Sequence, residues 1–263
     1  MFFLLCSRKA ACAVIALFLF SVNLFAGGKS EDPFANSEGK RVVVSTSWIG
    51  AIAQAAGAQN IRILAPVNLR HPPEYEIKPS DLAAASKADL IIYAGWERFA
   101  EKLVDTAGSA GIKAISIETI NTPEGLKQEA RKIAELLGTI EHFEKWSRDF
   151  DDFAEALRVQ ILAAYSDTRV VVERMHTPFI EWIGFDIIGE YGPAEPSPAV
   201  IFQLAQLKPF LVVDNYHEPS GQPIAEAAKA IYADLLNFPG KDGTENLEDV
   251  FRYNADVLIK AAK

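Results

Sequence analysis

Two regions of this 263-residue chain alternate short apolar strand patterns with helical patterns. Valine-rich runs open them at 41–46 and 169–173, and such alternation predicts mainly parallel sheets with helices on both faces. Between the two regions, residues 123–164 carry no strand pattern. Apolar side chains recur there at spacings of 3 or 4, which predicts a long amphipathic helix over 141–165. The sequence therefore predicts an α/β fold with two lobes, whose mainly parallel sheets are flanked by helices, joined by one long helix.

The first residues have the pattern of an export signal. Two basic residues at 8–9 precede an apolar run over 10–20, and small residues follow at 26–28. This order is typical of a secretory signal peptide cleaved near 26–28; an uncleaved anchor is the alternative, although the run is short for a membrane span. The two cysteines, Cys6 and Cys12, both lie inside this leader, so neither stands where a lipid anchor would attach. We expect a soluble exported protein, periplasmic if the source has an outer membrane.

The predicted boundaries are a signal peptide over 1–28, an N-terminal lobe over 29–138, a linking helix over 139–166 and a C-terminal lobe over 167–263. A net charge of −9 argues against a nucleic-acid partner, which would favour a basic face. The sequence shows no nucleophile elbow, glycine-rich phosphate loop or cysteine-based site. We therefore expect a binding protein, monomeric, and not an enzyme.

The most unusual local composition lies at 68–82, where three prolines fix the backbone around a histidine, two glutamates and a tyrosine. Ser80 is expected to cap the helix that follows, and Asp81 suits the positive end of its dipole. The stretch is thus predicted to be a stiff loop between a strand and a helix. Binding residues tend to lie on rigid loops of this kind.

Residues 72–76 read Pro-Pro-Glu-Tyr-Glu, followed by Pro-Ser-Asp-Leu at 79–82 and Ala-Asp-Leu-Ile-Ile-Tyr at 88–93. This order and spacing resembles the solute-binding proteins of zinc, manganese and iron ABC importers, whose first stretch usually reads Pro-His-Glu-Tyr-Glu. One position departs from that pattern. Pro73 stands where the family has a metal-binding histidine, and His71 lies two positions earlier.

The resemblance covers roughly 41–262 and includes the segments 194–199 and 252–256. It implies two lobes with the ligand between them, and a protein that captures a zinc, manganese or iron ion outside the cytoplasm and delivers it to a membrane permease. The general rule for open parallel sheets also places ligands in a crevice at the carboxyl ends of the strands.

Candidate metal ligands follow the predicted strands. Three histidines lie in such loops, and imidazole together with carboxylates suits zinc, manganese and iron. The resemblance places a ligand histidine directly at His176, a second histidine near Glu118 and a ligand aspartate at Asn237, which is a weaker, neutral oxygen donor. Asp214 clusters with His217 at another strand end and could compensate. The predicted set is His71, Glu118, His176, Asp214, His217 and Asn237.

An anionic ligand is the main alternative. Arg70, Arg98 and Arg174 lie at predicted strand-end loops, and Tyr75 and Trp96 are close to two of them. Arginine forks and aromatic faces suit carboxylates or anionic metal chelates rather than bare cations, although the same arginines could bridge the lobes by salt bridges. A metal-dependent hydrolase using the same histidines, and a degenerate relative that binds nothing, remain as further alternatives.

Overall fold

The computed structural model describes residues 34, 38–67, 69 and 74–263. Within that part, eight strands form two parallel sheets. The strands are β1 (Arg41–Val44), β2 (Asn60–Ile63), β3 (Leu90–Ala94), β4 (Lys113–Ile117), β5 (Arg169–Glu173), β6 (Asp186–Tyr191), β7 (Leu211–Asn215) and β8 (Ile231–Leu235). The strand order is β2-β1-β3-β4 in the first sheet and β6-β5-β7-β8 in the second. The two halves therefore share one topology.

Helices cover the sheets and connect them. They are α1 (Ser47–Ala55), α2 (Pro79–Ala85), α3 (Ala100–Ala110), α4 (Pro123–Leu137), α5 (Ile140–Ala164), α6 (Thr177–Ile183), α7 (Pro198–Gln206), α8 (Gln222–Ala228) and α9 (Leu247–Ala261). Among the residues that the structure describes, no helix combines the length and the apolar character that a membrane span requires.

Central strands carry continuous apolar runs because helices bury both of their faces. Val42, Val43 and Val44 of β1 are fully buried, and so are the three valines of β5. Both strands pair in parallel with a neighbour on each side. Their carboxyl ends therefore lie in the middle of each sheet edge.

The 25-residue helix α5 leads from the first sheet to the second. Phe143, Phe150 and Ile161 of its predicted apolar face are buried, and the helix packs against α4 and α9. The ring of Phe150 stacks on Trp146 at 4.8 Å between centroids. Phe150 also packs edge-on against Phe251 of α9 at 5.1 Å between centroids, so aromatic packing ties α5 to α9.

The predicted fold class, two parallel α/β lobes joined by one long helix, is confirmed. The prediction that Ser80 caps α2 is wrong. Lys78 is the N-cap and Pro79 the first helical residue, because proline's fixed φ suits that position. Asp81 accepts a hydrogen bond from the Lys78 N–H at 2.9 Å. The predicted signal peptide and the loop residues 70–73 lie outside the described residues.

Candidate metal-binding site at the lobe junction

The segment that follows β8 carries hydrogen-bonded contacts between the lobes. We call residues 237–240 the junction segment. The Asn121 side-chain amide, in the loop after β4, donates to the Asn237 carbonyl at 2.7 Å. The Ser47 hydroxyl, at the start of α1, donates to the Pro239 carbonyl at 2.8 Å. Both hydrogen bonds are buried, so side chains of the first lobe bind the backbone of the second lobe at two points.

Aromatic rings close around the junction segment. Phe238 lies 5.8 Å from Trp48 of the first lobe and stacks on His217 of the second at 3.7 Å with an interplanar angle of 15°. Gly240 has a φ of +137°, and a Cβ there would collide with the Val67 carbonyl. A residue with a side chain fits this position neither in conformation nor in space.

His176 lies at the end of the short 3₁₀ turn after β5 and is 0 % exposed. Burial lowers the pKa of the imidazole to about 3, and the Leu235 carbonyl partly offsets this effect. Neither ring nitrogen forms a hydrogen bond of ordinary geometry with any described residue. His176 is therefore a neutral imidazole whose nitrogens are held out of water, and neutral imidazole is the form that binds metal ions.

Asn237 lies two residues after Leu235, whose carbonyl acts on His176. The residue is 3 % exposed, and its side-chain Oδ1 has no hydrogen-bond partner among the described residues. Its neighbour Leu236 is fixed by Asn254 of α9, which accepts from the Leu236 N–H at 2.7 Å and donates to its carbonyl at 2.9 Å. A buried acceptor of this kind is costly unless something satisfies it.

The other predicted ligands have different surroundings. Asp214 is fully buried, and its carboxylate accepts from the backbone N–H groups of 215, 220 and 221 and from the Tyr232 hydroxyl at 2.7 Å. His217 is half-buried against Phe238, whereas Glu118 is exposed just after β4. Asp214 thus anchors the β7–α8 loop, whereas His176 and Asn237 keep buried polar side-chain atoms that have no hydrogen-bond partner of ordinary geometry among the described residues.

Among the residues proposed for an anionic ligand, Arg70 lies outside the described part, as does the predicted metal ligand His71. Arg98 and Arg174 are exposed. Trp96 is 45 % exposed, and its indole N–H donates to the Thr119 hydroxyl at 3.3 Å.

Tyr75 donates through its hydroxyl to Asp81 at 2.6 Å and packs edge-on against Phe99. Burial and that carboxylate raise the pKa of Tyr75 to about 12. Tyr75 is therefore used to anchor the loop that precedes α2.

Two buried carboxyl groups that are not among the predicted ligands lie near the strand ends. Glu173 ends β5 and is 2 % exposed. Burial raises its pKa to about 7, and the nearby carboxylates of Asp214 and Glu218 add to this effect. Glu97 follows β3, accepts from the Ala94 N–H at 3.0 Å and also has a pKa raised by burial. The signal in the sequence is an acidic residue directly after an apolar run.

Within the described ranges, no three histidine, cysteine, aspartate or glutamate side chains come together in a way that could hold a metal ion. Residues 70–73, which include His71, are outside those ranges. The described part of the junction therefore offers the buried imidazole of His176 and the buried, unpartnered amide oxygen of Asn237.

Two parallel-sheet lobes connected by a long helix, with their strand ends at the junction, define the fold of the two-lobed solute-binding proteins. Known proteins support this assignment. The sequence model of the family described as "Zinc-uptake complex component A periplasmic" matches residues 42–151. The manganese-binding lipoprotein MntA of Halalkalibacterium halodurans is 24 % identical, over 94 % of this chain and 95 % of that protein.

Solved structures with the same fold include the laminin-binding protein Lmb of Streptococcus agalactiae, described as an adhesin with metal-transporting activity. It has a TM-score of 0.67 and 17 % identity, over 86 % of this chain and 100 % of that one. The solute-binding protein FpvC of Pseudomonas aeruginosa, solved with Mn²⁺, has a TM-score of 0.67 and 18 % identity, over 85 % and 98 %.

These matches confirm the resemblance to the solute-binding proteins of metal importers. They are matches to binding and uptake proteins, and they confirm the expectation that this chain is not an enzyme.

Proposed function

We propose that this protein is the extracytoplasmic solute-binding component of an ABC importer, and that it captures a transition-metal ion between its two lobes. The ion, zinc, manganese or iron, would then be delivered to a membrane permease. Supporting this proposal are the family match, the manganese-binding relative and the Mn²⁺-bound structural neighbour. The proposal includes the signal peptide over 1–28, export to the periplasm, and the lobe boundaries at 138 and 167.

The observation that carries the proposal is the state of His176. A fully buried imidazole with a pKa of about 3 is neutral throughout the physiological range, so a metal ion need not displace a proton from it. Neither ring nitrogen forms a hydrogen bond of ordinary geometry with a described residue, so one nitrogen can bind a metal ion while the Leu235 carbonyl acts on the ring. Asn237 Oδ1 would supply a neutral oxygen beside it, and Glu118 with the histidines of the neighbouring loops would complete the coordination shell.

Metal content and titration test this function. The purified protein is subjected to elemental analysis, stripped with a chelator and titrated with Mn²⁺, Zn²⁺ and Fe²⁺ in a calorimeter. His176→Ala should lower the affinity at least about 100-fold, because loss of a ligand costs more than loss of an outer-shell partner. His142→Ala is the matched control, since His142 is exposed at the start of α5, and it should bind as the wild type does.

An anionic metal chelate is the second candidate, and the exposure of Trp96, Arg98 and Arg174 near strand ends favours it. A protein that binds no free divalent ion but binds ferric citrate, with affinity lost in Arg98→Ala or Arg174→Ala, would support this candidate and reject the bare-ion function.

We expect little closure of the lobes on metal binding. The side chains of Asn121 and Ser47 already hydrogen-bond to the junction segment, and the long helix α5 connects the lobes. Scattering curves of the apo and loaded protein should therefore nearly coincide, and a large change in radius of gyration would contradict this.

A further inference from the structure

Asn121 contacts residues of both lobes through a single side chain. It lies in the loop after β4 and is 6 % exposed. Its Oδ1 accepts from the Trp48 indole N–H at 3.1 Å, and its Nδ2 donates to the Asn237 carbonyl at 2.7 Å. An indole nitrogen can only donate and a carbonyl oxygen can only accept. The two partners therefore fix which way the Asn121 amide points.

Asn237 is consequently held from two directions. Asn254 of α9 fixes the backbone of the preceding residue by two hydrogen bonds, at 2.7 and 2.9 Å. Asn121, from the opposite lobe, fixes the Asn237 carbonyl itself. With the backbone held on both sides, the side-chain Oδ1 is left buried without a partner among the described residues.

We infer that Asn121 is a positioning residue that sets Asn237 Oδ1 in place at the metal site, across the lobe junction. This inference rests on the proposed metal-binding function and adds a residue to it that contacts no metal. The hydrogen bond from Asn121 means that a residue of the first lobe fixes the backbone of Asn237 in the second lobe. A metal ligand held in advance loses little freedom on binding, so its affinity depends on the groups that hold it.

The test compares two losses of a junction hydrogen bond. Asn121→Ala removes the donor to the Asn237 carbonyl, whereas Ser47→Ala removes the bond to the Pro239 carbonyl and leaves Asn237 held. Mn²⁺ affinity and the rate of Mn²⁺ release to a chelator are measured for both variants, along with their melting temperatures. Asn121→Ala should weaken binding by about 10-fold or more, mostly through faster release. Ser47→Ala should lower the melting temperature with a change in affinity of less than about threefold.

The outcomes separate the inference from the function beneath it. Equal losses of affinity in the two variants, or none in Asn121→Ala, would overturn the positioning role while wild-type binding and its loss in His176→Ala still supported the function. A wild type that binds no Mn²⁺, Zn²⁺ or Fe²⁺ would overturn both. Should Asn121→Ala fail to fold, Asn121→Ser, which lacks the amide donor but keeps a polar side chain, takes its place and should show the same faster release.

Discussion

Replacing Glu173 by glutamine should stabilise the protein at alkaline pH. Glu173 ends β5 with one carboxyl oxygen accepting from the Met175 N–H at 3.0 Å and the other without a partner among the described residues. Burial, together with the charges of Asp214 and Glu218, raises the pKa of this carboxyl from 4.5 to about 7. The folded protein therefore prefers the neutral form. A glutamine keeps the acceptor for Met175 and cannot become charged.

The size of the effect follows from that difference in pKa. Between pH 4.5 and about 7 the folded state binds more protons at Glu173 than the unfolded state does, so stability falls as pH rises through this window. A tenfold change in proton affinity corresponds to about 1.4 kcal/mol, so full burial would make the loss roughly 3 kcal/mol above pH 7. Screening by nearby solvent and the unpartnered N–H of the new amide reduce the expected gain to about 2 kcal/mol.

Chemical denaturation in the presence of a chelator measures this gain. The free energies of unfolding of wild type and Glu173→Gln are compared at pH 4.5 and pH 8, so that every other titrating group contributes equally to both proteins. We expect equal stability within about 1 kcal/mol at pH 4.5 and the full gain at pH 8. Glu195→Gln, at an exposed position, should change neither value. A Glu173→Gln variant that follows the wild type at both pH values would refute the reasoning.

Two further substitutions test the junction segment. Asn237→Asp should destabilise the metal-free protein by about 1–3 kcal/mol, because it buries a carboxylate, and should raise Mn²⁺ affinity by about 10-fold; a metal-induced shift in melting temperature no larger than in the wild type would contradict this. Gly240→Ala should cost about 3 kcal/mol or more, because its Cβ would collide with the Val67 carbonyl. Gly243→Ala, which meets no atom within 4 Å at a φ of +82°, should cost only about 1–2 kcal/mol in the same denaturation assay.

The fold could be predicted almost completely from the sequence, because each element carries its own local signal. The valine-rich run at 169–173 coincides with β5, and Ser197 and Pro198 mark the start of α7. The observed boundaries of an element differ from the predicted ones where a side chain forms a local hydrogen bond that the pattern does not show. The sequence pattern predicts a helix over 97–108, but helix α3 begins at Ala100, because Glu97 accepts from the Ala94 N–H and shapes a turn there.

The site was less predictable, because burial and long-range pairing leave no local pattern. Sequence order alone could not distinguish His176, which is fully buried, from Glu118, which is exposed. The pattern also could not show that the Asp214 carboxylate accepts hydrogen bonds from three backbone N–H groups and a tyrosine hydroxyl. The pairing of Asn121 with Asn237 spans 116 residues, so only the folded chain reveals it.

Anomalous diffraction from crystals soaked in Mn²⁺ tests the central claim most directly, since it locates the ion without assuming its ligands. We expect a strong peak at the lobe junction, about 2 Å from a ring nitrogen of His176 and a similar distance from Asn237 Oδ1. The peak should vanish in His176→Ala crystals. Absence of any peak in the wild type, or peaks only at exposed carboxylates away from the junction, would contradict the assignment of a metal site there.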